Sequence, residues 1–347
     1  MTKLYLIRHA EAEGNIFRRM HGQYNSSVTR NGLRQIEALR ERFESVPVDA
    51  VYASDLLRTR KTAEAICLPK ALPLRPDPRF RELSVGIWED LPFGELEHSF
   101  PRELDCFLRD PEHWLVPGAE SWAHCSTRFA AGLQELAEAH SGKTLAIFTH
   151  GCILSGGLHR ILGLPRDSAG MDNASVSLLN YENGSFTAAY LFDNSHLCEA
   201  ISTRARQRWW RQQGGKFNLR FRPPLPGDEA LWEPACLPFE GDRLWVALLE
   251  QTPVGWVSLR AKTLSGLYLR PEFRHRRMGD QLYGQAVSQL RAEGVDSMNI
   301  GVPTMNLEAV AFFSHHCGNP VQMDDIYTVF HAEIALPPIP PEAVRSP

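Results

Sequence analysis

Five side chains suited to phosphoryl transfer stand where strands are predicted to end or helices to begin, or in a loop between them. They are Arg8, His9, Arg58, Glu82 and His150. Open α/β sheets bind their ligands at the carboxyl ends of the strands, close to the starts of the helices that follow. We therefore expect these five side chains to meet above one edge of a sheet.

Each of these residue types has a defined use in phosphoryl transfer. The transition state spreads negative charge over the equatorial oxygens, so catalysis is mainly positioning and electrostatic stabilisation. Two guanidiniums can bind those oxygens with paired N–H groups. A neutral imidazole can attack phosphorus and hold a phosphohistidine intermediate. A carboxylic acid can protonate the leaving oxygen and later take a proton from the attacking water. This set requires no metal ion.

Two other interpretations of the same residues stay open at this point. Each histidine taken singly could be a hydrogen-bonded core residue. A metal site could be formed from His9, His21, Glu82 and His150. Tetrahedral zinc sites often use histidines paired on a helix or cysteine ligands, and no such pattern surrounds these four residues. We therefore favour the metal-free interpretation.

Strands and helices alternate over about the first 195 residues, which predicts an α/β domain with a mostly parallel sheet. The predicted strands lie at 3–8, 49–54, 143–151 and within a hairpin at 175–192 that turns at Asn183-Gly184. The predicted helices lie at 31–46, 55–68, 129–140 and 152–164. The helix at 31–46 has Thr29 as its predicted N-cap and an apolar face formed by Leu33, Ile36, Leu39 and Phe43.

The pattern becomes rich in strands after Phe217, which indicates a second domain. We predict domain boundaries at 1–197 and 217–335, a basic helical linker at 198–216 and a proline-rich tail at 336–347. In the second domain, strands are predicted at 218–223, 243–250, 253–260, 265–271, 296–303 and 327–334, and helices at 279–294 and 306–318. In the first domain, the proline-interrupted stretch 91–125 is predicted to be a variable lid.

A cationic turn lies between a predicted strand and a predicted helix of the second domain. Its residues are Arg274, His275, Arg276, Arg277, Met278 and Gly279. Backbone N–H groups at the start of a helix bind phosphate groups, and the helix dipole favours negative charge there. The turn is therefore a candidate pyrophosphate site.

Composition limits the remaining choices. The 347 residues carry a formal charge of −4, which argues against a nucleic-acid-binding protein. The seven cysteines are odd in number and form no CxxC pair, so a disulfide framework and a zinc ribbon are both disfavoured. No apolar run is long enough for a membrane span, and the N-terminus does not resemble a signal peptide. We expect a cytoplasmic protein with small-molecule partners and no membrane or nucleic-acid partner; the sequence does not indicate an oligomeric state.

Four motifs in order resemble those of the histidine phosphatase superfamily, the phosphoglycerate-mutase-like fold. They are "LIRHAEAEGN", "SDLLRTRKTAEAI", "RELSVGIWEDL" and "FTHGCIL". The resemblance implies a three-layer αβα domain with a mostly parallel sheet. It implies that His9 is the nucleophile, that Glu82 is the proton donor, and that Asn15 and the backbone of Gly151 help to bind the substrate. The implied phosphate pocket is completed by Arg8, Arg58 and His150.

This chain departs from the family pattern at a few positions. Ala10 stands where the family usually has glycine, and Ser27 and Val28 stand where it often has proline and leucine. The family contains both phosphatases and mutases. Trp88 and Glu89, which follow the predicted acid, resemble the phosphatase branch, so we expect a phosphatase that acts on a small metabolite. A phosphoglycerate-type mutase is the alternative.

The second domain resembles the GNAT acetyltransferase family in "LYLRPEFRHRRMGDQLYGQAV" and "NLEAVAFFSHHCG". The resemblance implies a smaller α+β domain that binds acetyl-CoA and acetylates an amine. The pantetheine arm would pair with the strand near Leu267 and Leu269, and Asn306 would contact the cofactor further along. The pyrophosphate would lie on the 274–279 turn.

Two departures weaken the case for acetyl transfer. Arg277 replaces the first glycine of the turn, where its side chain would crowd the pyrophosphate or require an unfavourable backbone angle. Phe313 stands where the family usually has a tyrosine that protonates the leaving thiolate. A domain that senses CoA and regulates the phosphatase without turnover is therefore an alternative to a bifunctional enzyme.

Overall fold

A six-stranded sheet with helices on both faces forms the N-terminal part of the protein. The computed structural model describes residues 1–165, 171–208, 217–231 and 241–337. The strands of the N-terminal part are β1 (Thr2–Arg8), β2 (Arg19–Met20), β3 (Ala50–Ala53), β4 (Leu74–Pro76), β5 (Leu91–Pro92), β6 (Thr144–Thr149), β7 (Val176–Glu182) and β8 (Ser185–Asp193). Its helices are α1 (Glu13–Phe17), α2 (Arg30–Arg42), α3 (Leu57–Cys67), α4 (Phe93–Ser99), α5 (Pro101–Arg109), α6 (Trp122–Ala139), α7 (Gly151–Leu162) and α8 (Thr203–Arg206).

The order of strands in this sheet is β4-β3-β6-β1-β7-β8, while β2 and β5 form a separate two-stranded ribbon. The first four strands are parallel, and β7 and β8 continue the sheet in antiparallel fashion. Because β1, β3 and β6 are parallel, their carboxyl ends lie at one edge of the sheet. This edge receives His9 and His150 directly after β1 and β6.

Alternation of side chains along β1 supplies both faces of the sheet with apolar residues. Leu4 and Leu6 belong to a core with residues of α6 and α7, whereas Ile7 belongs to a core with residues of α2 and α3. The result is three layers, with α2 and α3 on one face and α6 and α7 on the other. The prediction of a three-layer αβα domain is confirmed.

The predicted helices and strands of this domain are present, with shifted ends. The hairpin turns at Asn183 and Gly184, which both have positive φ, as an Asn-Gly turn requires. Thr29 caps α2 by accepting a hydrogen bond from the backbone of Gly32 at 3.0 Å. The helix predicted from residue 129 begins earlier, at Trp122.

One expectation about this domain is wrong. Leu33 is 46% exposed, because the buried face of α2 passes through Gly32, Ile36 and Leu39 instead.

The stretch 91–125 stays a predicted variable lid. It contains α4, α5 and the start of α6, and Pro101 occupies the first turn of α5, where a missing N–H costs nothing.

A seven-stranded sheet forms the C-terminal part. Its strands are β9 (Leu219–Arg222), β10 (Arg243–Leu249), β11 (Thr252–Arg260), β12 (Thr263–Leu269), β13 (Ser297–Pro303), β14 (Gln322–Met323) and β15 (Tyr327–Glu333). Its helices are α9 (Met278–Ala292) and α10 (Leu307–Cys317). The strand order is β14-β15-β13-β12-β11-β10-β9, in which only β12 and β13 are parallel neighbours. The predicted elements of this part are present, and β14 is an additional short strand.

The linker and the tail are only partly described. Residues 198–208 of the predicted linker contain the one-turn helix α8, while 209–216 lie outside the described residues. The tail lies outside them from residue 338 onward. The domain boundaries at 197, 217 and 335 stay predictions. Among the described residues, no helix combines the length and the apolar character that a membrane span requires.

Candidate active site and candidate cofactor site

His9 follows β1 and is held in place by backbone hydrogen bonds. Its N–H donates to the carbonyl of Thr149 at 2.9 Å, and its Nδ1 lies 2.7 Å from the carbonyl oxygen of Ala10. A carbonyl oxygen can only accept, so Nδ1 carries the proton, and Nε2 of the neutral ring keeps its lone pair. The nitrogen available to attack an electrophile is therefore Nε2.

The environment of His9 keeps its ring neutral. The residue is only 6% exposed. Desolvation, followed by the charges of Arg58 and Arg8, lowers the pKa of His9 well below its ordinary value. A neutral imidazole is the form that can act as a nucleophile.

Arg58 is buried in the first turn of α3 and is held by three acceptors. Its two terminal nitrogens donate to the carbonyls of Tyr24 (2.9 Å) and Gly22 (2.7 Å), and its Nε donates to Nδ1 of His150 (3.2 Å). Desolvation lowers the pKa of Arg58 to about 10. The guanidinium therefore remains positively charged at neutral pH.

Arg8, the last residue of β1, supplies the second guanidinium. Its NH1 donates to the carbonyl of Met171 at 3.0 Å. The guanidinium lies against Gly151, where an added Cβ would be 3.4 Å from Nε of Arg8. Gly151, at the start of α7, is therefore in van der Waals reach of the arginine.

His150 does not line the cavity but lies directly behind Arg58. Its Nδ1 accepts from Arg58, so the neutral ring carries its proton on Nε2, which donates to Oγ of Ser54 at 2.9 Å. Its ring centroid is 5.3 Å from that of His9. Desolvation and the charge of Arg58 lower the pKa of His150 well below the ordinary value. In this structure His150 acts on the cavity by holding Arg58.

Glu82 is fixed at the N-terminus of α7. Its carboxylate accepts hydrogen bonds from the backbone N–H groups of Cys152 (3.0 Å), Ile153 (2.8 Å) and its neighbour Leu83 (2.9 Å). These three N–H groups fix the position of the carboxyl group beside the cavity. The side chain lines the same cavity as His9.

A cavity of about 240 Å³ joins these residues. The predicted site residues that line it are Arg8, His9, Asn15, Arg58 and Glu82. His150 and Gly151 lie behind Arg58 and Arg8. Nδ1 of His9 is hydrogen-bonded to the carbonyl of Ala10. The Nε2 lone pair is therefore the nucleophilic position of the ring, and the two guanidiniums line the same cavity.

Part of the cavity wall was not predicted from the sequence. It comes from Asp172, Asn173, Thr203, Arg204 and Gln207, and from Gly14, Arg18, Arg19 and His21 in the loop after His9. The amide of Asn173 donates to the carbonyl of His9 and to Oδ1 of Asn15, both at 3.1 Å. The motif "DNASV" resembles the family's closing strands and was a usable signal for Asn173, whereas residues 203–207 carried none.

The metal-site alternative has no support in the coordinates. In the ranges that the structure describes, no three His, Cys, Asp or Glu side chains are grouped as a metal ion would need. The His21 ring is instead directed towards Asp90, with Nε2 3.6 Å from the carboxylate.

In the C-terminal sheet, β12 and β13 separate after a short paired segment. They pair only at Thr263–Asn299 and Leu264–Ile300, although β12 continues to Leu269. Leu267 and Leu269 therefore lie on an edge that faces a gap between the strands. Such a gap can accept an extended amide-containing chain, such as pantetheine, as an additional strand. Arg274 occupies one acceptor there, because its Nε donates to the carbonyl of Leu269 at 2.9 Å.

The cationic turn precedes α9 as predicted, but acidic side chains accompany its cations. Arg274 and His275 lie 3.8 and 3.6 Å from the carboxylate of Glu308. Arg277 lies 3.6 Å from Asp280, which also contacts His316 at 2.9 Å. The positive charge of the turn is thus partly balanced within the domain.

Backbone angles in the turn support the expectation about Arg277. Arg277 has φ 56° and ψ 18°, and His275 has φ 57°, which are left-handed conformations that favour glycine. Met278 is a buried core residue. Gly279 lies beneath the ring of Phe312, where an added Cβ would be 3.1 Å from the ring. Arg276 lies over the ring of Phe273, at 6.0 Å.

Asn306 and Phe313 have local structural roles. Oδ1 of Asn306 accepts from the backbone of Ala309 at 3.1 Å and so caps α10. Phe313 is buried in the domain core, 6.1 Å from the ring of Phe330.

Comparison with known proteins decides the family. A model of the histidine phosphatase superfamily (branch 1) matches residues 4–194, more than half of the chain. The chain belongs to the histidine phosphatase superfamily. A model of the acetyltransferase (GNAT) family matches residues 204–318. This member of the superfamily therefore carries a GNAT domain in its C-terminal part.

Relatives of known sequence or structure match over 54–56% of this chain. A probable phosphoglycerate mutase GpmB from Yersinia pestis is 30% identical over 192 residues, 89% of its length. The structure of YhfR from Bacillus stearothermophilus aligns with a TM-score of 0.54 at 30% identity and covers 99% of that chain. A putative α-ribazole-5′-P phosphatase from Escherichia coli aligns with a TM-score of 0.51 at 24% identity and covers 96% of that chain, which is a likeness of fold.

The buried histidines predict that the stability of this superfamily member depends on pH. Desolvation and nearby arginines lower the pKa values of His9, His21 and His150 well below the ordinary value. Below pH about 6.5 the unfolded chain binds protons that the folded protein does not, so stability falls as pH falls. Each histidine contributes up to about 1.4 kcal/mol per pH unit. We expect the urea midpoint to decrease from pH about 7.5 to pH about 5.5.

Two histidine variants test whether the buried histidines cause the pH dependence of stability. His21→Gln should reduce the pH dependence of the urea midpoint by the contribution of one buried histidine. His124→Gln, at an exposed position of α6, should leave that dependence unchanged. Equal pH dependence in His21→Gln and the wild type would contradict the assignment.

Proposed function

We propose that the N-terminal domain hydrolyses a phosphomonoester of a small metabolite through a phosphohistidine at His9. The observation that carries this proposal is the neutral His9 ring, whose Nε2 lone pair is left free by the hydrogen bond from Nδ1 to Ala10. Arg8 and Arg58 line the same cavity. A nucleophile placed among fixed cations is the arrangement that an anionic phosphoryl group requires.

The proposed reaction has two chemical steps in this cavity. Nε2 of His9 attacks phosphorus, the bond from phosphorus to the ester oxygen breaks, and Glu82 gives the leaving oxygen a proton. Water then attacks the phosphohistidine, Glu82 takes a proton from it, and phosphate leaves with return of the lone pair to Nε2. Arg8 and Arg58 stabilise the charge on the equatorial oxygens in both steps. His150 keeps Arg58 in position through the bond to Nε.

Asn15 and Gly151 complete the proposed substrate site. Oδ1 of Asn15 accepts from the backbone of Ala12 (2.9 Å) and from Asn173 (3.1 Å), which orients its amide nitrogen. That nitrogen can donate to the ester, since Asn15 lines the cavity. The backbone of Gly151, which lies beside Arg8, is the second proposed substrate contact.

We further propose that the C-terminal domain binds acetyl-CoA. The separation of β12 and β13 beside Leu267 and Leu269 supports a pantetheine site, and the turn at 274–279 with the start of α9 supports a pyrophosphate site. Binding without acetyl transfer is the favoured form of this proposal, because Phe313 has no hydroxyl and lies in the core. Acetylation of an amine is the alternative.

The first prediction concerns His9. His9→Ala should lower hydrolysis of phosphomonoesters by at least about a thousandfold, because no other nucleophile replaces the ring. A chelator such as EDTA should leave the wild-type rate unchanged. Release of inorganic phosphate and acid-labile labelling of the protein by a radioactive ester are the measurements.

His124→Ala is the matched control, since His124 is exposed on α6. Full activity of His9→Ala would refute the proposal. Transfer of phosphate within the substrate, without release, would replace hydrolysis by the mutase alternative.

The second prediction concerns acetyl-CoA. The double change Arg276→Gln and Arg277→Gln should weaken its binding about tenfold, because two cations leave the N-terminus of α9. Arg243→Gln is the control, since Arg243 contacts Glu293 at the opposite end of this helix. Isothermal titration of the full chain is the measurement. Equal affinity of wild type and double variant, or no binding to the wild type, would contradict the proposal.

The third prediction separates sensing from transfer. If the domain only binds the cofactor, acetyl-CoA should change the rate of phosphate release while no amine is acetylated and no free CoA thiol appears. Thiol titration and mass spectrometry of amine mixtures are the measurements. Stoichiometric CoA release with an acetylated amine would establish the bifunctional alternative.

A further inference from the structure

Helix α9 of the GNAT domain packs against the loop that follows the catalytic histidine. This segment, residues 12–22, contains the short helix α1 and the short strand β2 and is named the first loop. Its Phe17 belongs to the apolar core of the C-terminal domain, 5.8 Å from the ring of Tyr283. Gly284 permits the contact, because a Cβ at that position would collide with the ring of Phe17. The first loop is therefore anchored in the second domain.

A buried ion pair holds Glu13, which lies near the start of the first loop. Arg291 of α9 donates from its two terminal nitrogens to the two carboxylate oxygens of Glu13, at 2.7 and 2.8 Å. Its Nε donates to the carbonyl of Ile334 at 2.6 Å, which fixes the guanidinium within its own domain. The side chains of Arg291 and Glu13 are only 9% and 14% exposed. A bidentate pair of this kind restricts both distance and orientation.

The end of the first loop has a second set of contacts with α9. Arg19 donates to Gln285 at 3.0 Å and to Ser288 at 2.9 Å. It also donates to Asp90 at 2.8 Å, and Ser288 donates to the same carboxylate. The position of Asp90, beside His21, is thus linked to the GNAT helix.

Residues beside these anchors form a wall of the phosphatase cavity. Gly14, Asn15 and Arg18 lie between Glu13 and Arg19, and His21 follows Arg19. The phosphate-binding groups Arg8 and Arg58 lie outside the first loop. Arg8 donates to Met171 and Arg58 donates to Tyr24, which also lie outside it, while the second terminal nitrogen of Arg58 donates to Gly22, the last residue of the first loop. The phosphate end is thus built from residues of the N-terminal domain, and the second domain supports mainly the wall beside it.

We propose that Arg291 is a positioning residue of the phosphatase, which acts through Glu13 to place Asn15 and its neighbours against the alcohol portion of the ester. The proposal rests on the phosphatase function proposed above. It assigns the GNAT domain a part in building the substrate site, whatever that domain binds. Loss of the pair should weaken binding of the ester and leave the phosphoryl-transfer step unchanged.

The experiment compares steady-state kinetics of the full chain in four forms besides the wild type. They are Arg291→Gln, Arg291→Lys, Glu13→Gln and the control Arg243→Gln, which removes an exposed arginine–glutamate contact at the same end of α9. We expect Arg291→Gln and Glu13→Gln to raise KM for the ester about tenfold and to change kcat by less than about twofold, since misplaced binding groups cost up to about a hundredfold. The inhibition constant of inorganic phosphate should change by less than about twofold.

Rescue and coupling distinguish positioning from general destabilisation. Arg291→Lys should restore most of the affinity, because it keeps the charge but not the paired N–H groups. The double variant Glu13→Gln with Arg291→Gln should be no worse than either single variant, because both remove the same interaction. A merely structural role would reduce the active fraction, so kcat would fall with KM unchanged.

The outcomes separate the two proposals. A wild type without His9-dependent hydrolysis would overturn the proposed function. An active wild type whose KM is the same in Arg291→Gln and Arg243→Gln would overturn the positioning role alone. A fall in kcat with constant KM, or an equal loss of affinity for inorganic phosphate, would also overturn it.

Discussion

The pocket depends on keeping two guanidiniums charged next to an imidazole that stays neutral. Burying a cation is costly unless its donors are paired, and Arg58 is only 3% exposed. The carbonyls of Gly22 and Tyr24 and the ring of His150 supply that pairing without adding a negative charge. The cationic field is therefore retained in the cavity, where it adds to desolvation in lowering the pKa of His9. One set of contacts thus keeps Arg58 and His9 in the charge states that the proposed reaction needs.

Much of this pocket could be predicted from the sequence, because its main residues come directly after strands. Parallel β1 and β6 must end at one edge, so His9 and His150 had to approach each other. The tautomer of His9 could not be predicted, since it depends on the direction in which the backbone turns the carbonyl of Ala10. The backbone ligands Cys152 and Ile153 of Glu82 lie 70 and 71 positions away in the chain, and the wall residues 203–207 carried no sequence signal. Leu33 was misassigned because Gly32, which has no side chain to signal burial, occupies the buried face of α2.

The second domain shows a different limit of sequence reasoning. The unfavourable backbone angle at Arg277 was predictable, because a single residue type departs from a pattern that requires glycine. The acidic partners Asp280 and Glu308 were not, since their positions on two helices reveal neither distance nor direction. A cationic motif therefore overstates the charge that a ligand would meet. The same turn can serve as an anion site only to the extent that its own carboxylates leave the cations available.

The anchoring of the first loop also has a consequence for biosynthesis. Glu13 and Arg291 are separated by 278 positions in the chain, and Phe17 is buried by residues of the same late helix. A nascent chain emerging from the ribosome has made His9 and the whole first sheet long before α9 exists. The first loop reaches its final packing only after α9 has been translated, so maturation of the proposed active site is tied to synthesis of the second domain.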